Sequence, residues 1–367
     1  MGSTASVKLD KTARAAGRGE AGIARVGAAR PGVKLDKADR IILAELDRDC
    51  RVPVKRLARL ARKSRQAVEY RIGRLVEEGV ITSFNVSINP HKMGYKLYKI
   101  YLQLRNVPAE RKKLMEYLRT SDIVYWMGEC DGVWDLIFAI FTRSDYEFYA
   151  LKNELISKFG KIIVKRDWGM LVDVKQYPKA YFTGKVAPPT EFAGEVARSE
   201  MGELDYAVLR EIVNDARVPV TKLAAKVKAT PATVAARLRK MEQTGVIIQY
   251  RIGVDLNRLG LEYYKAIIHV DKYTEEDARK LLAYVSALPQ VQYFIRDVWN
   301  LEPEFAVGSY QEYGEIMDRM RAEFPLVIRN VESVLMRTDE WTPGFKNIMR
   351  PVKLMRLGPK VGKLFEA

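Results

Sequence analysis

The stretch Ser64-Arg65-Gln66-Ala67-Val68-Glu69-Tyr70-Arg71-Ile72-Gly73-Arg74-Leu75-Val76-Glu77-Glu78-Gly79-Val80-Ile81 reads as one helix with a defined start and stop. Ser64 is a good N-cap, because a serine oxygen can accept from an amide that the first turn leaves unpaired. Ala67, Val68, Ile72 and Leu75 recur at helical spacing as a buried stripe, and Gly79 ends the helix as a C-cap glycine. Upstream, a second helix is expected from Val54 to about Arg62, joined by a short turn at Lys63. Before it, Leu35-Asp36 starts a first helix on Ile41, Ile42 and Leu46, which ends near Cys50-Arg51-Val52-Pro53 because proline cannot continue it. Downstream, the alternation of Val80, Ile81, Phe84, Val86 and Ile88 predicts a strand pair or wing before Pro90 and Gly94. Three short helices and a wing make a winged helix-turn-helix.

The same unit occurs twice. From Arg51 to Gly94 the second copy aligns without a gap at an offset of 217 − 51 = 166 residues. Arg51-Val52-Pro53-Val54 returns as Arg217-Val218-Pro219-Val220, Gly79-Val80-Ile81 as Gly245-Val246-Ile247, and Gly94 as Gly260. A repeat this long, present only twice, reads as two joined copies of a multi-part protomer rather than a solenoid.

Composition narrows the function. The chain has 367 residues, 48% of them hydrophobic, enough for several domain cores. Its net charge of +16 and pI near 9.6 favour a polyanionic partner such as nucleic acid. Cys50 and Cys130 are the only cysteines and form no CxxC pair, so neither a disulfide framework nor a zinc site is suggested. No apolar run approaches the roughly 18 residues that a membrane span needs. These features predict a cytoplasmic, nucleoid-associated protein with no membrane partner. Residues 1–33 and 344–367 read as basic tails; the start Met1-Gly2-Ser3-Thr4-Ala5-Ser6 formally fits a myristoylation pattern.

A helix of this kind can enter the major groove. In the first copy Ser64, Arg65, Gln66, Tyr70, Arg71 and Arg74 are candidates for DNA contact, with Arg65, Gln66, Tyr70 and Arg74 reading bases. Lys55, Arg56, Arg62 and Lys63 lie where a preceding helix and turn cross phosphates. Basic residues outnumber acidic ones 13 to 8 from Leu35 to Gly94, which disfavours a merely solvated face. The second copy keeps Thr230-Pro231 as a helix start and Val234, Leu238 and Met241 inside. Its candidates are Thr230, Thr233, Arg237 and Lys240, but Ala235 and Ala236 stand for Glu69 and Tyr70, so weaker base contact is expected there.

After each wing the pattern is strand, helix, strand, strand, helix, strand, a ferredoxin-like βαββαβ order. The fold class is therefore α+β. The expected organisation is winged helix-turn-helix domains at 34–94 and 203–261, ferredoxin-like domains at 95–176 and 262–343, and a linker at 177–202. A sheet covered by helices on one face needs a partner for the other.

This combination resembles the Lrp/AsnC, or feast/famine, transcription regulators. The resemblance rests on Leu35-Asp36, Ala58, Ser64, Arg71-Ile72 with Leu75, Gly79-Val80-Ile81 and Gly94. It implies double-stranded DNA as partner, an archaeal or bacterial source, and effector-sensing domains whose sheets pack here as an intrachain pseudo-dimer. Further self-association also follows the family pattern. It also implies a small effector such as an amino acid near the turn Gly128-Glu129-Cys130-Asp131-Gly132-Val133-Trp134-Asp135, with Gly128, Asp131, Gly132, Trp134 and Asp135 as candidates. In the second copy Glu304 is taken as the counterpart of Asp135. An ordinary Asp-Gly hairpin is the plain alternative.

Two other readings stand beside the regulator. An architectural DNA-coating protein would share the basic surface but show little sequence preference. Siroheme decarboxylases resemble the same fused fold and carry histidines in the second and third strands. Here that region of the second copy has Gln292 and Phe294, and His91 and His269 read as turn and strand residues. No catalytic, cofactor or metal motif is found in the sequence, and the protein is expected not to be an enzyme.

Overall fold

A computed structural model of the chain describes residues 32–341, apart from Asn214 and Lys272. Most of the basic N-terminal segment, the myristoylation pattern and the whole C-terminal basic segment lie outside the described residues.

The first repeat runs α1 (Lys37–Arg48), α2 (Val54–Ala61), α3 (Arg65–Glu77), β1 (Ile81–Ile88), β2 (Lys96–Leu104), α4 (Pro108–Arg119), β3 (Val124–Gly132), β4 (Leu136–Thr142), α5 (Asp145–Phe159) and β5 (Ile163–Gln176). A short strand, β6 (Thr190–Ala193), follows. The second repeat runs α6 (Glu203–Ile212), α7 (Val220–Lys226), α8 (Pro231–Gln243), β7 (Ile247–Val254), β8 (Glu262–Val270), α9 (Glu275–Ser286), β9 (Val291–Asp297), β10 (Asn300–Val307), α10 (Tyr310–Glu323) and β11 (Ile328–Met336), before β12 (Glu340–Trp341).

The expected wing is a single strand in each unit. β1 pairs antiparallel with β7, from Ile81↔Val254 to Ile88↔Ile247, so the strand that would fold back on its own unit is supplied by the other copy. The seam repeats on both sides: Cys50 N donates to Tyr250 O at 2.9 Å, and its counterpart Ala216 N donates to Phe84 O at 2.9 Å. Asp47 of α1 accepts from Arg251 of β7 at 2.8 and 3.0 Å. Burial alone would raise the Asp47 carboxyl, but Arg251 and Lys179 hold it below the usual range. One apolar core runs through both units, joining Leu43, Leu46 and Val68 to Leu209, Val234 and Leu238.

Each ferredoxin-like unit has helices on one face, so residues alternate between a helix-side core and an inner face. In β2, Tyr98, Ile100 and Leu102 pack under α4 and α5, leaving Lys99 and Tyr101 on the other side. The two sheets face one another across that inner side and are also bonded edge to edge. The strand order β11-β8-β10-β9-β5-β2-β4-β3 closes because β3 pairs back onto β11. One seam is β5–β9, including Val174↔Ile295, and the other is β3–β11, including Val334↔Gly132. Closure removes the sheet edges where they meet.

Residues 177–202, expected as a linker, are partly built into the fold. β6 pairs with β5 from Asp173↔Ala193 to Gln176↔Thr190. The Asn89 side chain donates to Ala193 O at 3.1 Å and accepts from Ala193 N at 3.0 Å, while His91 Nδ1 meets Gly194 O at 2.6 Å. His91 is thus a buried brace of the turn after β1.

Candidate nucleic-acid interface

The start of α1 sets the geometry of the first helix-turn-helix unit. Asp36 caps the helix and Asp39 returns the bond: Asp39 N donates to Asp36 Oδ1 at 2.8 Å, and Asp36 N to Asp39 Oδ2 at 3.2 Å. Asp39 is buried and also accepts from α3, from Arg71 Nη1 at 2.7 Å and Arg74 Nη2 at 2.6 Å. Arg71 reaches Asp36 as well, at 2.8 Å. The capping carboxylates of one helix therefore clamp the recognition helix, and Val68, Ile72 and Leu75 fill the space between them.

This clamp changes the expected roles of two residues. Arg71 and Arg74 lie on the flank of α3 turned toward α1, and their guanidinium groups are committed to Asp39. Base reading by Arg74 would require breaking that pair. The second unit repeats the device more loosely, with Arg237 Nη1 3.7 Å from buried Asp205.

The exposed residues of α3 are Arg65, Gln66, Glu69, Tyr70 and Gly73, then Val76 and Glu77 in its last turn; Tyr70 is 73% exposed. Ser64 spends its oxygen on Ala67 N at 3.1 Å, holding the helix start. Beside it lie exposed Lys55, Arg56, Arg59, Arg62 and Lys63. None of these five cations has an acidic partner among the described residues. Arg62 adopts a left-handed conformation, φ 51°, that ends α2 and turns the chain into α3.

The equivalent surface of α8 is nearly bare. Pro231, Ala232, Ala235 and Ala236 stand where Arg65, Gln66, Glu69 and Tyr70 stand in α3. Thr230 caps the helix by accepting from Thr233 N at 3.1 Å, and the two hydroxyls lie 2.8 Å apart. Lys240 is half-buried, and Arg239, at the position of Gly73, is exposed. Lys222 and Lys228 are exposed without acidic partners among the described residues, but Lys226 pairs with Glu211 at 2.8 Å. Lys228 repeats the left-handed turn of Arg62, at φ 54°.

The candidate effector residues have partners within the chain. Asp135 accepts from Leu104 N at 2.7 Å and pairs with Arg111. Trp134 is buried, with its indole donating to Glu332 at 3.2 Å. Asp131 faces Arg337 at 3.3 Å. A Cβ on Gly128 would lie 2.4 Å from Met336 Cε, and one on Gly132 would lie 2.6 Å from Ser333 O. The second repeat's β11 thus covers both glycines, which close packing rather than ligand access explains. The counterpart of Asp135 also needs correction. Lys99 pairs with Ala139 as Lys265 pairs with Glu304, so Glu304 matches Ala139 and Asp135 matches Asn300.

Among the described residues there is no cluster of three or more His, Cys, Asp or Glu able to hold a metal ion, and no helix long and apolar enough to cross a membrane. Burial pushes the Cys50 and Cys130 thiols up to about 12. Gln292 donates to nearby backbone carbonyls, Phe294 lies in a helix-side core, and His269 stands 3.7 Å from Glu332.

Comparison with known proteins agrees with this geometry. The winged helix-turn-helix DNA-binding profile matches residues 35–82 and again 201–248, once per repeat. An uncharacterised HTH-type transcriptional regulator of Pyrococcus horikoshii is 31% identical over 147 residues, 40% of this chain and 90% of the relative. The HTH-type transcriptional regulator LrpA of Pyrococcus abyssi is 31% identical over 128 residues, 35% of this chain and 88% of the relative. In both cases nearly the whole relative is matched by less than half of this chain. Among solved structures, the siroheme decarboxylase NirDL shares the fold over 86% of this chain and 97% of its own, with a TM-score of 0.57 and 12% identity. At that identity the likeness concerns architecture alone. A winged helix-turn-helix found twice, and relatives that each match about one repeat, establish that the chain belongs to the Lrp/AsnC family of DNA-binding transcription regulators, with two protomers joined in one polypeptide.

Proposed function

We propose that the protein regulates transcription by occupying a two-part DNA site that is read mainly by its first unit. The observation that carries this is the difference between the recognition helices: α3 presents Arg65, Gln66 and Tyr70 beside five unpaired cations, whereas α8 has Pro231, Ala232, Ala235 and Ala236 at the matching positions and an exposed Arg239 where α3 has Gly73. Arg65 and Gln66 have the fork and amide geometry for bidentate contacts with guanine and adenine edges. Lys55, Arg56, Arg62 and Lys63 supply sequence-independent phosphate contacts, and Lys222 and Lys228 add fewer on the other side. In this reading Arg71, Arg74 and Arg237 position the recognition helices, while Thr230, Thr233 and Lys240 meet the backbone of a weakly read half-site. The protein then resides with the nucleoid. A small effector at the turn holding Gly132 and Asp135 would have to compete with Arg111, Leu104 and β11 for those residues.

The test is selection of bound duplexes from a random pool at near-physiological salt, with wild type and an Arg65→Ala/Gln66→Ala variant. The expected result is one motif with a strong half and a weak half, the strong half lost in the variant. Retention of every sequence to the same degree, by both proteins, would favour an architectural DNA-coating role. Absence of DNA binding would overturn the proposal.

A further inference from the structure

The closed barrel contains a set of charges that the two repeats do not supply equally. Lys99 of β2 and Lys265 of β8 occupy the same position in their repeats, 166 residues apart, and both point inside. On the neighbouring strand the repeats differ. The first has Ile137 and Ala139; the second has Glu302 and Glu304.

Those two carboxylates serve both lysines. Lys265 Nζ lies 2.8 Å from Glu302 Oε2 and also contacts Glu304 Oε1. Lys99 Nζ, from the other repeat, lies 3.2 Å from Glu302 and 3.6 Å from Glu304. Tyr101 of the first repeat donates to Glu302, and Tyr263 of the second to Glu304. Lys265 and Glu302 are fully buried and Lys99 and Glu304 nearly so. The two lysines and the two carboxylates balance only as a set, and Asp297 nearby is pushed toward its protonated form by burial and by Glu302.

We infer that Glu302 and Glu304 are a pairing code: they make the second repeat the partner that the first repeat requires, and they exclude a barrel made from two copies of either repeat. Two first-type repeats would enclose two lysines with no acid. Two second-type repeats would enclose two lysines and four carboxylates. Each carries an uncompensated buried charge, which low-dielectric surroundings penalise heavily. The kind of partner that fits the inner face of the first repeat is therefore a ferredoxin-like sheet bearing two carboxylates on its third strand.

Four full-length chains test this, differing only in where the acid pair stands: in the second repeat (wild type), in neither (Glu302→Ile/Glu304→Ala), in both (Ile137→Glu/Ala139→Glu), or in the first alone (all four substitutions). Thermal unfolding and size-exclusion chromatography are the readouts. The chains with neither pair and with both pairs are expected to melt about 10 °C below wild type or to aggregate. The fully exchanged chain should recover more than half of that loss as a monomer, because Glu at 139 would stand to Lys99 as Glu304 stands to Lys265. If it is no better than the unbalanced chains, the acids act only through Tyr101 and Tyr263 and the inference is overturned. A chain without the acids that melts like wild type overturns it equally. Should every exchanged chain fail to express, Lys99→Met/Lys265→Met added to Glu302→Ile/Glu304→Ala removes the charge altogether. That chain is expected to fold; if it also fails, charge balance is not the reason and the idea falls.

Discussion

Removing two positive charges from the first unit should change its DNA binding in a countable way. Arg62 and Lys63 are exposed, have no acidic partner among the described residues, and sit at the turn that leads into α3. Arg62 also holds a left-handed backbone at φ 51°, which glycine adopts freely. Arg62→Gly/Lys63→Ala therefore deletes two phosphate contacts without adding strain. Each contact contributes about 0.9 to the slope of log K against log salt, so the slope should become shallower by about 1.8, and affinity at 0.1 M salt should fall by roughly 60-fold. The matched variant in the second unit, Lys228→Gly at φ 54°, deletes one contact and should shift the slope by about 0.9, or roughly 8-fold. Fluorescence anisotropy on one duplex across a salt series reads both numbers, and far-UV circular dichroism checks that the helices remain. Equal slopes for wild type and the double variant would refute the assignment of this turn to phosphates. A larger effect from Lys228→Gly than from the double variant would refute the ranking of the two units.

Three further outcomes can be checked by unfolding measurements. Asp39→Ala leaves Arg71 and Arg74 without their shared carboxylate; because both guanidinium side chains keep 21–29% exposure, water offsets part of the loss and about 2 kcal/mol is expected. Asp205→Ala, whose only clamp contact is at 3.7 Å, should cost under about 1 kcal/mol, and equal costs from urea titration would contradict the clamp. Gly132→Ala combines φ 119° with a Cβ 2.6 Å from Ser333 O, so it should cost roughly 2–4 kcal/mol and loosen the β3–β11 seam, seen as faster amide exchange there. Asp297 is raised to about 7, chiefly by burial and then by Glu302. Its folded value lies above its unfolded one, so the folded state holds the extra proton and Asp297 makes stability fall as pH rises from about 4 to 7. Asp297→Asn should therefore melt higher than wild type above pH 7, with the difference vanishing near pH 4; a constant difference across that range would exclude Asp297 as the titrating group.

The helices were legible because local rules agree there: Ser64 and Thr230 cap, Pro53 and Pro219 stop the preceding segment, and the apolar spacing in α3 and α8 is helical. The ferredoxin-like order followed from the alternation of short apolar runs, such as Lys96 to Leu104, with helical stretches. What escaped was whatever depends on the partner repeat. Val80 to Ile88 alternates correctly for a strand, yet nothing local says that its neighbour is β7 rather than a strand of its own unit. Arg74 looks like a base reader and Arg71 like a further DNA contact because arginines on a helix at that place usually face solvent; only Asp39, 35 residues before Arg74, ties both to α1. A signal was present, since Asp39 and Arg71 recur as Asp205 and Arg237 at the same 166-residue offset, and a repeated acid–base couple is better explained by structure than by reading. Glu304 was mismatched to Asp135 because hairpin alignment by turn residues ignores register, which here is anchored by Lys99 and Lys265.

The β1–β7 ribbon has a consequence for the duplex itself. Since each unit lends its strand to the other, neither recognition helix can swivel independently, and in the proposed mode of binding the pair would meet DNA as a caliper of set width and set rotation. A duplex repeats its face about every 10.5 base pairs. Inserting five base pairs between the half-sites would turn one of them to the far side of the helix, out of reach of α8. Inserting ten would restore the face but not the width. Because α8 offers few base-reading side chains, a change of spacing should cost this chain only the weak half-site, while the half read by α3 stays bound.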